Sequence, residues 1–152
     1  MITEVCLYLK NWFDFQQPKF LGQKFTIKNG AIVKPAGLAD KIQTNQYYRI
    51  IGSVFNDGVH KKGSEELVDE EFDGAIWLMA VPKDVISLIT EIEMWQAKYG
   101  SLESENMSPY QSESFAGYSY SKASGGNSEN TGSSVPTWQG VFGARLRRYK
   151  KI

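Results

Sequence analysis

The sequence predicts an α+β protein: a helical scaffold with a small inserted antiparallel β-subdomain and a long Ser/Gly-rich loop. Three observations predict it. Apolar residues recur at a 3.6-residue period near both ends of the chain and again after Pro82. Residues 20–80 instead alternate and are punctuated by Asn-Gly and Asn-Asp-Gly turns. From 101 to 137 large apolar side chains thin out and Ser, Gly and Asn dominate.

In the first helix, expected over 3–14, Val5, Leu9, Trp12 and Phe13 form one stripe and Thr3 is placed to cap the start. Residues 24–28 alternate, Asn29-Gly30 is the preferred two-residue hairpin turn, and 31–33 return. Further strands are expected at 47–51, at 59–61 after Phe55-Asn56-Asp57-Gly58, and at 74–79. Gly52, Gly58 and Gly63 read as turn glycines. The long helix spans 82–99. Pro82 suits the first turn, Asp84 favours the positive dipole end, and Val85, Leu88, Ile89, Ile92, Trp95 and Tyr99 hold the period until Gly100. A final helix starts near Trp138 with Thr137 as its cap, placing Trp138, Phe142, Leu146 and Tyr149 on one side. The organisation expected is a folded core over 1–100, an extended or flexible loop over 101–137, and a basic docking helix over 138–152.

Composition narrows function. The chain has 152 residues, with 17 Lys+Arg against 17 Asp+Glu, one His and one Cys. Zero net charge argues against a free-standing basic nucleic-acid binder. One cysteine excludes an internal disulfide framework and a cysteine-rich zinc site. Met1 to Lys10 lack the basic-then-apolar order of a signal peptide, and no stretch approaches the roughly 20 apolar residues of a membrane span. A soluble protein made in the cytosol is expected.

No catalytic, cofactor-binding or metal-binding residue is predicted. Cys6 reads as a buried thiol on a helix edge, His60 as a strand residue beside Lys61 and Lys62, and nothing pairs them. Among Asp57, Asp69, Glu70, Glu71 and Asp73 an acid/base pair is conceivable, but a solvated face is the ordinary reading. Glu65, Glu66, Asp69, Glu70 and Glu71 could offer such a face to a neighbouring subunit. At the other extreme, Arg145, Arg147, Arg148, Lys150 and Lys151 crowd the last eight residues among Leu146, Tyr149 and Ile152. That pattern suits docking on an acidic groove or nucleic acid, and acid and base at two places in one neutral chain suit head-to-tail contact between copies. Residues 110–120 carry three tyrosines and a phenylalanine in an otherwise low-complexity stretch, as a segment that orders on contact would.

The run Ser112-Glu113-Ser114-Phe115-Ala116-Gly117-Tyr118-Ser119-Tyr120, a Gly/Ser stretch and a short basic closing helix resembles bacteriophage head–tail connector proteins, also called adaptor, head-completion or neck proteins. Tyr47-Tyr48-Arg49-Ile50-Ile51-Gly52-Ser53-Val54-Phe55-Asn56-Asp57-Gly58-Val59 and Phe72-Asp73-Gly74-Ala75-Ile76-Trp77 are similar to units of phage neck and tail proteins. The resemblance implies a non-enzymatic virion part without cofactor, lodged in the neck and residing in host cytoplasm before assembly. Its partners would be the portal protein, neighbouring copies in a ring (commonly twelve in the family) and the next tail or neck protein. DNA would pass its channel without sequence-specific binding, and no membrane is involved. Carried onto this chain, Trp138, Phe142, Arg145, Leu146, Arg147, Arg148, Tyr149 and Lys150 would dock on the portal. Ser112, Glu113, Ser114, Phe115, Tyr118 and Tyr120 would form an inter-subunit or docking loop. Simple connectors are mostly helical, so the β-subdomain at 20–80 departs from the family pattern. A tail-completion or tail-terminator protein is the alternative within the virion class. A small cytosolic nucleic-acid-binding module using the basic C-terminus is the alternative outside it.

Overall fold

The computed structural model describes residues 1–99, 112–115, 118–121 and 136–152. They fall into two compact units, 2–82 and 83–152. The division follows Pro82 rather than lying near residue 100, so the long helix belongs with the C-terminal unit.

The first unit opens with α1 (Ile2–Leu9) and is built on five antiparallel strands: β1 (Lys19–Lys28), β2 (Ala31–Lys34), β3 (Tyr47–Ile51), β4 (Gly58–Lys61) and β5 (Glu70–Leu78). A single turn, α2 (Leu38–Lys41), follows β2. The strands lie in the order β2-β1-β5-β3-β4 and form a half-barrel. Asn29 and Gly30 both take left-handed φ, 52° and 73°, the backbone a tight β1–β2 hairpin requires. β5 is central, pairing with β1 from Lys19↔Trp77 to Ile27↔Glu70 and with β3 from Tyr48↔Leu78 to Ile51↔Ala75. One face buries Phe25, Ile27, Tyr48, Ile50, Phe72 and Ile76, closed by Ile32, Leu38, Ile42 and Leu67. Phe25 and Phe72 are cross-strand partners whose stacked rings lie 5.3 Å apart.

The expected helical scaffold with a small β insert is therefore wrong: the five-stranded sheet is the body of this unit. The causes are local. α1 stops at Leu9 because Lys10 turns to φ 51°, with Lys10 and Asn11 N–H groups donating back to Leu7 and Cys6 carbonyls, so Trp12 and Phe13 lie beyond the helix. Thr3 lies inside α1 and does not cap it; its hydroxyl accepts the Val59 N–H at 3.0 Å. β1 is twice the expected length. A bulge at Gly22 (φ 63°) shifts the register between Leu21 and Gln23 and hides the alternation upstream. β5 begins at Glu70, inside a run whose charges read as surface.

β3 and β5 approach closely where Ile51 and Gly52 pass Asp73 and Gly74. A Cβ on Gly74 would sit 2.0 Å from the Ile51 carbonyl oxygen, so no other residue fits there.

The second unit comprises α3 (Lys83–Tyr99), the paired strands β6 (Ser112–Phe115) and β7 (Tyr118–Ser121), α4 (Trp138–Leu146) and a 3₁₀ turn (Arg147–Tyr149). α3 buries Val85, Leu88, Ile89, Ile92, Trp95 and Tyr99, the residues its period predicts. Thr137 caps α4 by accepting the Gly140 N–H at 3.3 Å. Across the α3–α4 contact, Phe142 meets Trp95 edge-on with centroids 6.3 Å apart. β6 and β7 are antiparallel, Ser112 opposite Ser121 and Phe115 opposite Tyr118. Gly100 and the parts of the expected loop at 101–111, 116–117 and 122–135 lie outside the described residues. Among the described residues no helix is long and apolar enough to cross a membrane.

Candidate functional site

The connection from β3 to β4 holds the densest polar network of the first unit. Gly52 (φ 88°) and Gly58 (φ 122°) let the chain leave one strand and enter the next. Between them Ser53 and Asn56 turn inward and are buried. Burying such groups costs free energy unless each finds a partner, and here they do. Asn56 donates through Nδ2 to the Val68 carbonyl (2.9 Å) and to Glu70 Oε2 (3.0 Å), and its Oδ1 accepts the Val68 N–H at 2.8 Å. Its own N–H donates to Ser53 Oγ at 2.7 Å, and its carbonyl lies 2.7 Å from His60 Nε2.

Glu70, first residue of β5, anchors the loop. Its carboxylate accepts from the Ser53 hydroxyl, the Val54 N–H at 2.8 Å, the Phe55 N–H at 3.4 Å and the Asn56 amide. Burial opposes the charge, but the donated bonds from Ser53, Val54, Asn56 and Phe55 outweigh it and hold the carboxyl below its ordinary range. Asp57 closes the loop by accepting the Gly52 N–H at 2.9 Å.

The inward turn of Ser53 and Asn56 leaves Val54 and Phe55 outward, 81% and 67% exposed, beside Val68 at 51%. Large apolar side chains held in water on a fixed backbone lose little conformational freedom on meeting a partner. Grouped apolar exposure marks an interaction surface. The arrangement can anchor a protein contact.

The predicted docking residues are placed differently from expectation. Trp138, Phe142 and Leu146 are buried, Phe142 against Trp95, so the apolar anchors assigned to a portal partner already serve the chain's own core. Arg145 is held by Glu91 in a two-pronged pair, Nη1 to Oε2 at 2.5 Å and Nη2 to Oε1 at 3.0 Å, which raises its pKa. Arg148 lies 3.7 Å from Asp84 and over the Tyr149 ring. These pairs flank a groove of about 580 Å³ between α3 and α4. Arg147 and Lys150 are exposed, and Tyr149 is half-buried.

The predicted acidic face is only partly a face. Glu66, Asp69 and Glu71 are exposed. Glu70 turns into the loop, and Glu65 accepts from the Tyr48 hydroxyl at 3.3 Å and from the Gly63 N–H. Of Ser112, Glu113, Ser114, Phe115, Tyr118 and Tyr120, the backbone forms the β6–β7 pair. Cys6 is fully buried, and burial pushes its thiol up to about 12 against a smaller opposite effect from Arg49.

The sequence reading places Phe55 in a turn signal, gives Ser53 and Val54 only as part of the 47–59 run, and assigns no site role to these residues or to Val68. The available signal was Val54-Phe55 itself, two bulky apolar residues directly before Asn-Asp-Gly, where a turn needs none. The chain matches no protein-family model, no curated protein and no solved structure.

Proposed function

We propose that this chain is a structural assembly protein, a head–tail connector that forms a ring under the portal of a tailed phage or prophage and joins capsid to tail. The observation that carries the assembly reading is the braced 52–58 loop, in which the partly exposed Glu70 carboxylate and two buried polar side chains hold Val54 and Phe55 in solvent. The step from assembly protein to phage neck rests on the sequence resemblance at 47–59, 72–77 and 112–120. In this reading the portal contact draws on the exposed Arg147, Arg148 and Lys150 with Tyr149, rather than on the buried Trp138, Phe142 and Leu146. The nucleic-acid reading is weakened by the Arg145–Glu91 pair, which commits one of the five terminal cations within the chain. Deleting the gene from its phage or prophage tests the proposal. DNA-filled heads and separate tails are expected after induction, and complete tailed particles in normal yield overturn it.

A further inference from the structure

β1 is the longest strand of the first unit, and much of one of its sides has no partner. β5 pairs with it from Lys19 to Ile27. On the opposite side β2 reaches only Thr26, Ile27 and Lys28. β2 stops at Lys34 because Pro35 has no N–H to give a ladder; its carbonyl accepts the Leu38 N–H at 3.2 Å as the chain turns into α2. Residues 19–24 are left as an open edge. Alternate residues of a strand point N–H and C=O to the same side, so about three donors and three acceptors face away from β5 there. Among the described residues, the backbone of 19–24 takes hydrogen bonds from no element but β5. The flank is accessible as well. Lys19, Gly22 and Lys24 are exposed, Leu21 is 60% exposed, and a Cβ on Gly22 would meet nothing within 4 Å.

The register with β5 fixes the face that each residue takes. Phe20 lies opposite Ile76 on the core side, with the Lys41 ammonium 5.4 Å from its ring centre. The bulge at Gly22 keeps Lys19, Leu21 and Lys24 together on the other face, opposite Trp77, Ala75 and Asp73. β1, β2 and α2 carry Lys19, Lys24, Lys28, Lys34 and Lys41 against Asp40 alone. Lys19 is bound by Asp14 at 2.6 Å. Asp73 stands across from Lys24, and Thr26 separates Lys34 from Glu71, yet Lys24, Lys34 and Lys41 form no ion pair among the described residues.

We propose that the open edge of β1 takes up an extended segment of a partner protein as a further strand of the sheet, one in which carboxylate and apolar side chains alternate with the strand period. Main-chain bonds to 19–24 supply the attachment. A large apolar side chain of the partner lies against Leu21 and a carboxylate beside Lys24. The stretch is roughly 20 Å long and seats about six partner residues. A second copy of this chain does not fit. Antiparallel pairing through this stretch sets Lys19 of each copy against Lys24 of the other, and like charges directly opposite are destabilising. The bulge and the lysines thus deter an identical edge while leaving the main chain open to an acidic one. The surface is separate from the braced 52–58 loop and does not depend on it.

Selection from a display library of short random peptides, run on the full chain, tests the proposal, with amide exchange as the local readout. In the free chain, alternate amides across 19–24 should exchange rapidly while those bonded to β5 are protected. Enriched peptides should alternate carboxylate and apolar residues and slow the rapid set about tenfold or more when bound. N-methylation of the alternate peptide residues that face β1 should abolish binding, and methylation of the other set should not. Leu21→Lys and Lys24→Glu change exposed positions, so each should keep the wild-type melting midpoint and weaken the best peptide about tenfold. No enriched peptide, or enriched peptides that leave exchange at 19–24 unchanged, would overturn the proposal. So would equal binding by both methylated sets, or binding unaltered in both variants. Protection of the rapid set in the free chain that vanishes on dilution would give the edge to a second copy and overturn it too.

Discussion

Glu70→Gln isolates the brace from the surface it presents. The substitution keeps length and shape but removes the charge and turns one accepting oxygen into a donor facing Ser53, Asn56 and Phe55. About two charge-assisted hydrogen bonds are lost, each worth roughly 1.5–3 kcal/mol when fully buried. Glu70 is partly exposed, so screening by solvent brings the total to about 2 kcal/mol. The pH dependence supplies the control. A carboxyl held below its ordinary value contributes stability in full above the unfolded pKa, about 4.3, and loses it as pH falls through the folded value. Urea denaturation should therefore separate variant from wild type at pH 7, and the gap should narrow as the pH is lowered below the unfolded value. Amide exchange at Phe55 should quicken in the variant at pH 7, since its N–H loses its acceptor, and more modestly at Val54, whose acceptor oxygen remains but becomes neutral. Equal stability and equal exchange at pH 7 would refute the brace, and so would a gap that does not narrow at low pH.

Three further outcomes are expected. Phe142→Ala removes a fully buried ring from the Trp95 contact and should cost about 3–5 kcal/mol in the free protein, followed by tryptophan fluorescence during denaturation; full stability would return α4 to the role of a partner's ligand. Gly74→Ala drives a methyl group to 2.0 Å from the Ile51 carbonyl oxygen, and a loss of roughly 3 kcal/mol or more should show as a lowered melting midpoint and poor soluble yield, whereas a wild-type midpoint would contradict the close approach. Phe55→Ser touches a side chain 67% exposed and should leave the melting midpoint unchanged while lowering the yield of tailed particles; a lowered midpoint with normal particles would make Phe55 a structural residue.

What could be read from the sequence was what obeys one period. α3 keeps six apolar residues on one stripe without interruption, and those six are buried. The Asn29-Gly30 hairpin and the strand at 47–51 were equally plain, because a two-residue turn and a short aromatic and β-branched run each have few alternatives. The sheet's true weight was hidden where the backbone departs from its period, at the Gly22 bulge in β1 and in the acidic start of β5. Trp12 and Phe13 extend the helical pattern in sequence, yet the stretch after Lys10 is held by Leu78, Ala80 and Arg49 reaching it from elsewhere, which no local window contains. The site was misjudged for a related reason. Charge and aromatic content say that a segment could bind, but not whether a neighbour in the same fold has already claimed it. Phe142, Leu146 and Glu70 were claimed, whereas Val54, flanked by turn residues, was left free.

The strand order β2-β1-β5-β3-β4 also governs how the sheet comes into being. β1 with β2 and β3 with β4 are neighbours in sequence, so each pair can close across a short connection as soon as it leaves the ribosome. Neither pair is hydrogen-bonded to the other within the sheet. They are joined by β5, the last strand of this sheet in sequence, which enters between them and bonds to both. Without β5 the native pairings leave two separate hairpins with open inner edges. Long-range pairing by β5 is then the step that makes both hairpins one sheet, and it sets the braced 52–58 loop, tied to Glu70 at the start of that strand, in place at the same moment.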